Sequence, residues 1–70
     1  KDKSGIENPA FISSTATLGR DVYVGAFSYI GNNVTIGNNV RIYPQVFIGD
    51  NVEIGDDTIL YSGVKVYHHC

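Results

Sequence analysis

An aliphatic side chain recurs at every sixth position of this sequence without interruption. The series is Ile6, Ile12, Leu18, Val24, Ile30, Ile36, Ile42, Ile48, Ile54, Leu60 and Val66. A second series, four positions after each member of the first, is small or β-branched throughout: Ala10, Ala16, Val22, Ser28, Val34, Val40, Val46, Val52, Thr58, Val64 and Cys70. Repetition at a fixed period is the signature of a repeat architecture, in which identical units stack on one another.

The spacing of the two series predicts short strands joined by tight turns. Val34 and Ile36 are separated by one residue, so in an extended chain they share one face and Thr35 points the other way. Glycine, asparagine and aspartate fill most of the remaining positions, as turns require. No helical period of 3.6 is present. Because the turns lack hairpin signals, we predict an all-β coil in which each strand pairs in parallel with its equivalent one coil away.

Departures from the motif recur in every third repeat and indicate three strands per coil. At the third position after the aliphatic residue, asparagine or aspartate gives way to Pro9, Phe27, Gln45 and Gly63. Glycine is replaced at the same corner by Glu7, Tyr43 and Tyr61. We therefore predict a triangular prism of nearly four coils over residues 6–70, preceded by a linker end at residues 1–5. Since proline cannot adopt a positive φ, we expect this corner to differ in backbone shape from the other two.

Composition limits the possible functions. The net charge is -2 and the five basic residues are scattered, which argues against a nucleic-acid-binding surface. No apolar run approaches the length of a membrane span, so we expect no integral membrane contact. The single cysteine allows no intrachain disulfide. A chain of 70 residues without methionine is expected to be part of a longer protein and to need association for stability.

Residues capable of chemistry are few, and each has an ordinary structural interpretation. His68 and His69 are adjacent and diverge, so we expect solvated corner residues and neither a metal ligand nor a general base. Cys70 falls on the small inward series and is expected to be a packed core thiol. Asp50, Asp56 and Asp57 lie at turns. We predict no catalytic, metal-binding or cofactor-binding residue in this chain.

Aromatic residues cluster around the corner that departs from the motif. The outward and corner positions concerned are Phe11, Tyr23, Phe27, Tyr29, Tyr43, Phe47, Ile59 and Tyr61. The third outward series, Thr17, Thr35 and Glu53, is polar. These aromatic residues could simply stack within the chain. A contiguous apolar exterior more often marks an interface, and an edge suits three prisms around a threefold axis, so we predict that this aromatic cluster forms a trimer contact.

The repeat resembles the left-handed parallel β-helix of hexapeptide-repeat acyltransferases over residues 6–70. Two segments are similar to early coils of the UDP-3-O-acylglucosamine N-acyltransferase family of the lipid A pathway. They are Ile42-Tyr43-Pro44-Gln45-Val46-Phe47-Ile48-Gly49-Asp50-Asn51-Val52 and Leu60-Tyr61-Ser62-Gly63-Val64-Lys65-Val66-Tyr67-His68-His69-Cys70. The opening segment, Gly5-Ile6-Glu7-Asn8-Pro9-Ala10-Phe11-Ile12, resembles the start of that family's β-helix.

This resemblance implies a cytoplasmic homotrimer that transfers a 3-hydroxyacyl chain from acyl carrier protein to the 2-amino group of a UDP-sugar. The family uses a histidine as general base. No residue of this chain matches that histidine, and no segment matches the uridine-binding domain or the C-terminal helices of the family. We therefore expect this chain to be a scaffold section of the enzyme that is inactive by itself. Another hexapeptide acyl- or acetyltransferase and a purely structural β-solenoid are the alternatives.

Overall fold

The computed structural model describes residues 5–68, which form eleven strands of two residues each. Each strand pairs an outward residue with the aliphatic residue of one repeat. The strands are β1 (Gly5–Ile6), β2 (Phe11–Ile12), β3 (Thr17–Leu18), β4 (Tyr23–Val24), β5 (Tyr29–Ile30), β6 (Thr35–Ile36), β7 (Arg41–Ile42), β8 (Phe47–Ile48), β9 (Glu53–Ile54), β10 (Ile59–Leu60) and β11 (Lys65–Val66). Gly5, assigned above to the linker end, is thus the first residue of β1.

The strands form three parallel sheets that make the three sides of a prism. The first sheet has the order β1-β4-β7-β10, the second β2-β5-β8-β11 and the third β3-β6-β9. Partners in register come from every third repeat, as in Ile12, Ile30 and Ile48. The prediction of an all-β parallel coil with three strands per turn is therefore confirmed.

Backbone hydrogen bonds between coils follow one rule on all three sides. An amide N–H donates to the carbonyl oxygen of the residue that precedes its register partner in the next coil. Gly5 donates in this way to Val22 at 3.0 Å, and Thr17 donates to Val34 at 2.8 Å. Because the strands are so short, a single coil has too few bonds within itself to be stable. The coils hold one another in place, as in other repeat proteins.

The two inward series fill the axis of the prism. Val24, Ile30, Val34, Val40 and Ile42 have no exposed surface. Burying each such side chain contributes about 1.5–3 kcal/mol. The inward members nearer the ends of the described coils are only partly buried: Ile12, Leu18, Leu60 and Val66. Cys70, expected to lie in this core, is outside the described residues.

The corner between the first and second sheets, called the first corner, comprises residues 7–10, 25–28, 43–46 and 61–64. Its predicted difference in backbone shape is wrong in three of the four coils. Phe27 and Gln45 each have a φ of 65°, close to the 59° of Asn33 at another corner, and Gly63 also has a positive φ, of 86°. The third position after the aliphatic residue is proline only at Pro9, so only there does proline exclude a positive φ; Pro9 follows a cis peptide bond. Phenylalanine and glutamine can enter the left-handed region at some cost in energy.

The other two corners are held by aspartate side chains that bond to the backbone of the neighbouring coil. The second corner joins the second and third sheets, and the third corner joins the third sheet to the first. Asp50 Oδ1 accepts the Asn32 N–H at 2.8 Å at the second corner. Asp56 Oδ1 accepts the Asn38 N–H at 2.7 Å at the third. The turn role predicted for these aspartates is confirmed, and these bonds satisfy amides that the sheets leave unpaired.

We expect Ile42→Ala to lower the free energy of unfolding by about 2–5 kcal/mol, because it leaves a cavity in the centre of the core. Ile6 occupies the same column of the first sheet but is 51% exposed, so Ile6→Ala should cost much less. Urea denaturation at one fixed protein concentration measures both. Equal losses would contradict the description of the core.

We expect Gly31→Ala to cost about 1–3 kcal/mol of stability through overpacking. A Cβ atom on Gly31 would lie 3.0 Å from the Asp50 amide nitrogen and closer still to the Asp50 side chain. Gly49, also buried and at the same corner one coil later, is the matched control, because its nearest neighbour would be a carbonyl oxygen at 3.5 Å. Similar thermal midpoints for Gly31→Ala and Gly49→Ala would show that the Asp50 contact is unimportant.

Candidate functional site

A stack of aromatic rings runs along the outer face of the second sheet. The ring centroids of Phe11 and Tyr29 are 5.0 Å apart with an interplanar angle of 11°, and those of Tyr29 and Phe47 are 4.9 Å apart at 8°. This spacing follows from the register, since neighbouring strands lie about 4.8 Å apart. Each stacked pair contributes about 0.5–1.5 kcal/mol beyond its buried area. The stack therefore stabilises the coils while leaving ring edges at the surface.

Tyr67 extends this stack and was not predicted from the sequence. Its ring lies 5.5 Å from that of Phe47, and the residue is 50% exposed. A signal was present, because Tyr67 takes the position that glycine holds at Gly31 and Gly49 in the two preceding coils. An aromatic residue in place of a corner glycine thus identifies a further member of the apolar surface.

A second row of rings lies at the first corner and beside it. Tyr43 contacts Tyr23 edge-on at 6.0 Å and Tyr61 at 5.5 Å. Tyr23 itself is only 3% exposed, although it is the outward residue of β4. The sequence placed Tyr23 on the exposed contact surface; the structure instead buries Tyr23, with its ring edge-on to that of Tyr43.

The remaining aromatic residues and Ile59 lie at the first corner and on the outer faces of the two sheets that meet there, and Tyr67 follows β11 at the second corner. We call this set of residues the corner surface. The largest exposed fractions are 67% for Phe27, 61% for Tyr61 and 54% for Phe11. The members of the corner surface are Phe11, Phe27, Tyr29, Tyr43, Phe47, Ile59, Tyr61 and Tyr67. By contrast, the outward residues of the third sheet are polar and exposed: Thr17, Thr35 and Glu53. The outer face of the third sheet in the described coils therefore carries no aromatic residue.

Two grooves border the aromatic stack. One, of about 440 Å³, lies beside Phe27 and has an almost wholly apolar lining: Pro9, Ala10, Phe11, Phe27, Ser28 and Tyr29. The other, also of about 440 Å³, is more polar and is lined by Tyr29, Phe47, Gly49, Asp50, Asn51, Tyr67 and His68. Of these two, the first groove has the character of a site for an apolar group.

The polar residues that could carry chemistry are dispersed or already bonded. His68 is exposed at the edge of the second groove, and His69 is outside the described residues. Asp57 accepts a hydrogen bond from Asn39 Nδ2 at 2.7 Å. Within residues 5–68, no three histidine, cysteine, aspartate or glutamate side chains converge so as to hold a metal ion. The same part of the chain contains no helix long and apolar enough to cross a membrane.

Comparison with known proteins agrees with this geometry. Residues 15–50 and residues 33–68 each match the family described as bacterial transferase hexapeptide (six repeats). The second match begins three repeats after the first, and three repeats make one coil of the structure. A search among curated proteins gives no match. The two matches together span most of the chain, and the chain therefore belongs to the bacterial hexapeptide-repeat transferase family.

Proposed function

We propose that this β-solenoid is a scaffold section of an N-acyltransferase that moves a 3-hydroxyacyl chain from acyl carrier protein to UDP-3-O-acylglucosamine in lipid A biosynthesis. The observation that carries the proposal is membership of the hexapeptide-repeat transferases. The choice of substrate is supported by the similarity of residues 42–52 and 60–70 to early coils of that enzyme family. The same similarity implies a cytoplasmic enzyme, and the proposal includes that location.

In this proposal the chain contributes assembly, and the chemistry belongs to other parts of the enzyme. The family's general base is a histidine, whereas His68 is exposed at the rim of a groove and matches no catalytic position of the family. The corner surface instead supplies apolar area at one edge. Three copies arranged around a threefold axis would bring these edges together and cover them.

Acyl transfer by the natural gene product that contains these 70 residues tests the substrate. We expect it to attach a 3-hydroxyacyl group from acyl carrier protein to the 2-amino group of UDP-3-O-acylglucosamine, detected by mass spectrometry. Acetyl-coenzyme A with amino- or hydroxy-sugar acceptors is the matched comparison. Transfer of acetyl alone would favour another acyltransferase of the family, and a lack of both transfers would favour a purely structural solenoid.

Phe11→Asp tests the role of the corner surface in assembly. A buried, unpaired carboxylate is costly, so we expect this variant to weaken association of the chain by at least about tenfold, measured by analytical ultracentrifugation. Thr17→Asp is the matched control, because Thr17 is an exposed outward strand residue in the same coil, on the polar third sheet. A trimer that survives Phe11→Asp unchanged, or is lost equally in both variants, would contradict the proposed contact.

A further inference from the structure

Phe27 combines two features that are unfavourable in an isolated chain. Its φ is 65°, in the left-handed region, and its side chain is 67% exposed. Asn33, Asn39 and Asn51 hold the equivalent corner position elsewhere, with φ between 59° and 62°. Asparagine enters this region several-fold more readily than most residues, whereas a bulky residue there is an outlier. Phenylalanine at this corner therefore costs stability and leaves an apolar ring in water.

Contacts within the chain offer little compensation for Phe27. Its amide N–H donates to the Pro9 carbonyl oxygen at 2.5 Å, a backbone bond that any residue except proline could make. The ring pairs formed among residues 5–68 fall into two rows, one of Phe11, Tyr29, Phe47 and Tyr67 and the other of Tyr23, Tyr43 and Tyr61. Phe27 takes part in neither row. Strained and exposed residues of this kind occur where a function requires them.

The apolar groove beside Phe27 supplies a place for a ring. It lies between Phe27 and the Phe11–Tyr29 stack, and its lining contains no charged residue. A projecting aromatic ring and an apolar groove therefore adjoin each other on the same chain. The ring of one copy could therefore occupy the groove of another.

We propose that Phe27 of one copy inserts into the groove beside Phe27 of the next copy, so that three rings and three grooves meet at the threefold axis. This inference rests on the trimer proposed above and identifies the residue that anchors it. A contact between two different surface elements is heterologous. When a closed rotation repeats such a contact, the copies form a cyclic oligomer. It also follows the usual pattern of an aromatic anchor filling a pocket near the centre of an interface.

The exposed area is of the right order for such an interface. Aromatic side chains bury about 150–250 Å² each when fully covered, so the exposed parts of the six most exposed members of the corner surface amount to roughly 600 Å². A stable interface buries about 800 Å² on each partner. The corner surface can thus provide the apolar centre of a contact between copies, with neighbouring polar residues completing its rim.

The test separates the strain of Phe27 from its ring. Phe27→Asn places the residue used at the equivalent corners, so we expect the dissociated chain to unfold at a higher urea concentration than the wild type. We expect the same substitution to weaken association by at least about tenfold, because it removes the anchor. Sedimentation equilibrium over a range of concentrations measures association. Urea denaturation at concentrations where every variant is monomeric measures stability.

Gln45→Asn is the matched control, since Gln45 is exposed and occupies the same corner one coil later with the same φ of 65°. It should raise stability in the same way and leave association unchanged. Phe27→Leu, which keeps an apolar group, should retain part of the association. If the wild type is trimeric and Phe27→Asn associates equally tightly, Phe27 is not the anchor, although the proposed trimer stands. An equal loss of association in Gln45→Asn would also contradict the role of Phe27 as the anchor. A wild-type chain that is monomeric at every concentration would contradict both the anchor and the trimer.

Discussion

Parallel pairing of the backbone between equivalent residues of successive coils is the interaction on which the rest of the structure depends. Each N–H that donates to the next coil fixes the vertical position of a repeat on its neighbour. That register places Val24 and Ile42 in one core column and Tyr29 and Phe47 in one stack of rings. The interior and the exterior ladders are therefore two consequences of a single spacing, and a change in repeat length would disrupt both.

The three corners of the prism have different roles. At the second and third corners, side chains such as Asp50 and Asp56 are engaged in bonds to the backbone of the preceding coil. At the first corner, the side-chain bonds to the backbone come from Glu7 and Ser28 instead. Phe27 and the tyrosines of that corner are consequently available to face outward. The fold thus needs polar turn residues at two corners and tolerates apolar ones at the third.

Most of the fold could be predicted from the sequence because each repeat encodes its own strand and its own turn. The core columns follow from the alternation of inward and outward residues within a strand, and the turns follow from the six-position motif. The three sides of the prism follow from the departures in every third repeat. The backbone at Phe27 and Gln45 could not be inferred from Pro9, because the pairing of coils imposes a left-handed corner even on residues that do not favour it. The burial of Tyr23 also depends on its neighbours in three dimensions. Its spacing shows that it points away from the axis, but not that it is buried with its ring against Tyr43.

The central claim is that copies of this chain meet through the first corner. Isotope-filtered nuclear Overhauser spectroscopy on a mixture of labelled and unlabelled chains tests it most directly, since only contacts between copies give signals. We predict cross-peaks from the Phe27 ring to Ala10 and Phe11 of another copy, and none from the methyl groups of Thr17 and Thr35 on the opposite face. Signals from that threonine face, or no signals between copies at concentrations well above physiological ones, would contradict the account.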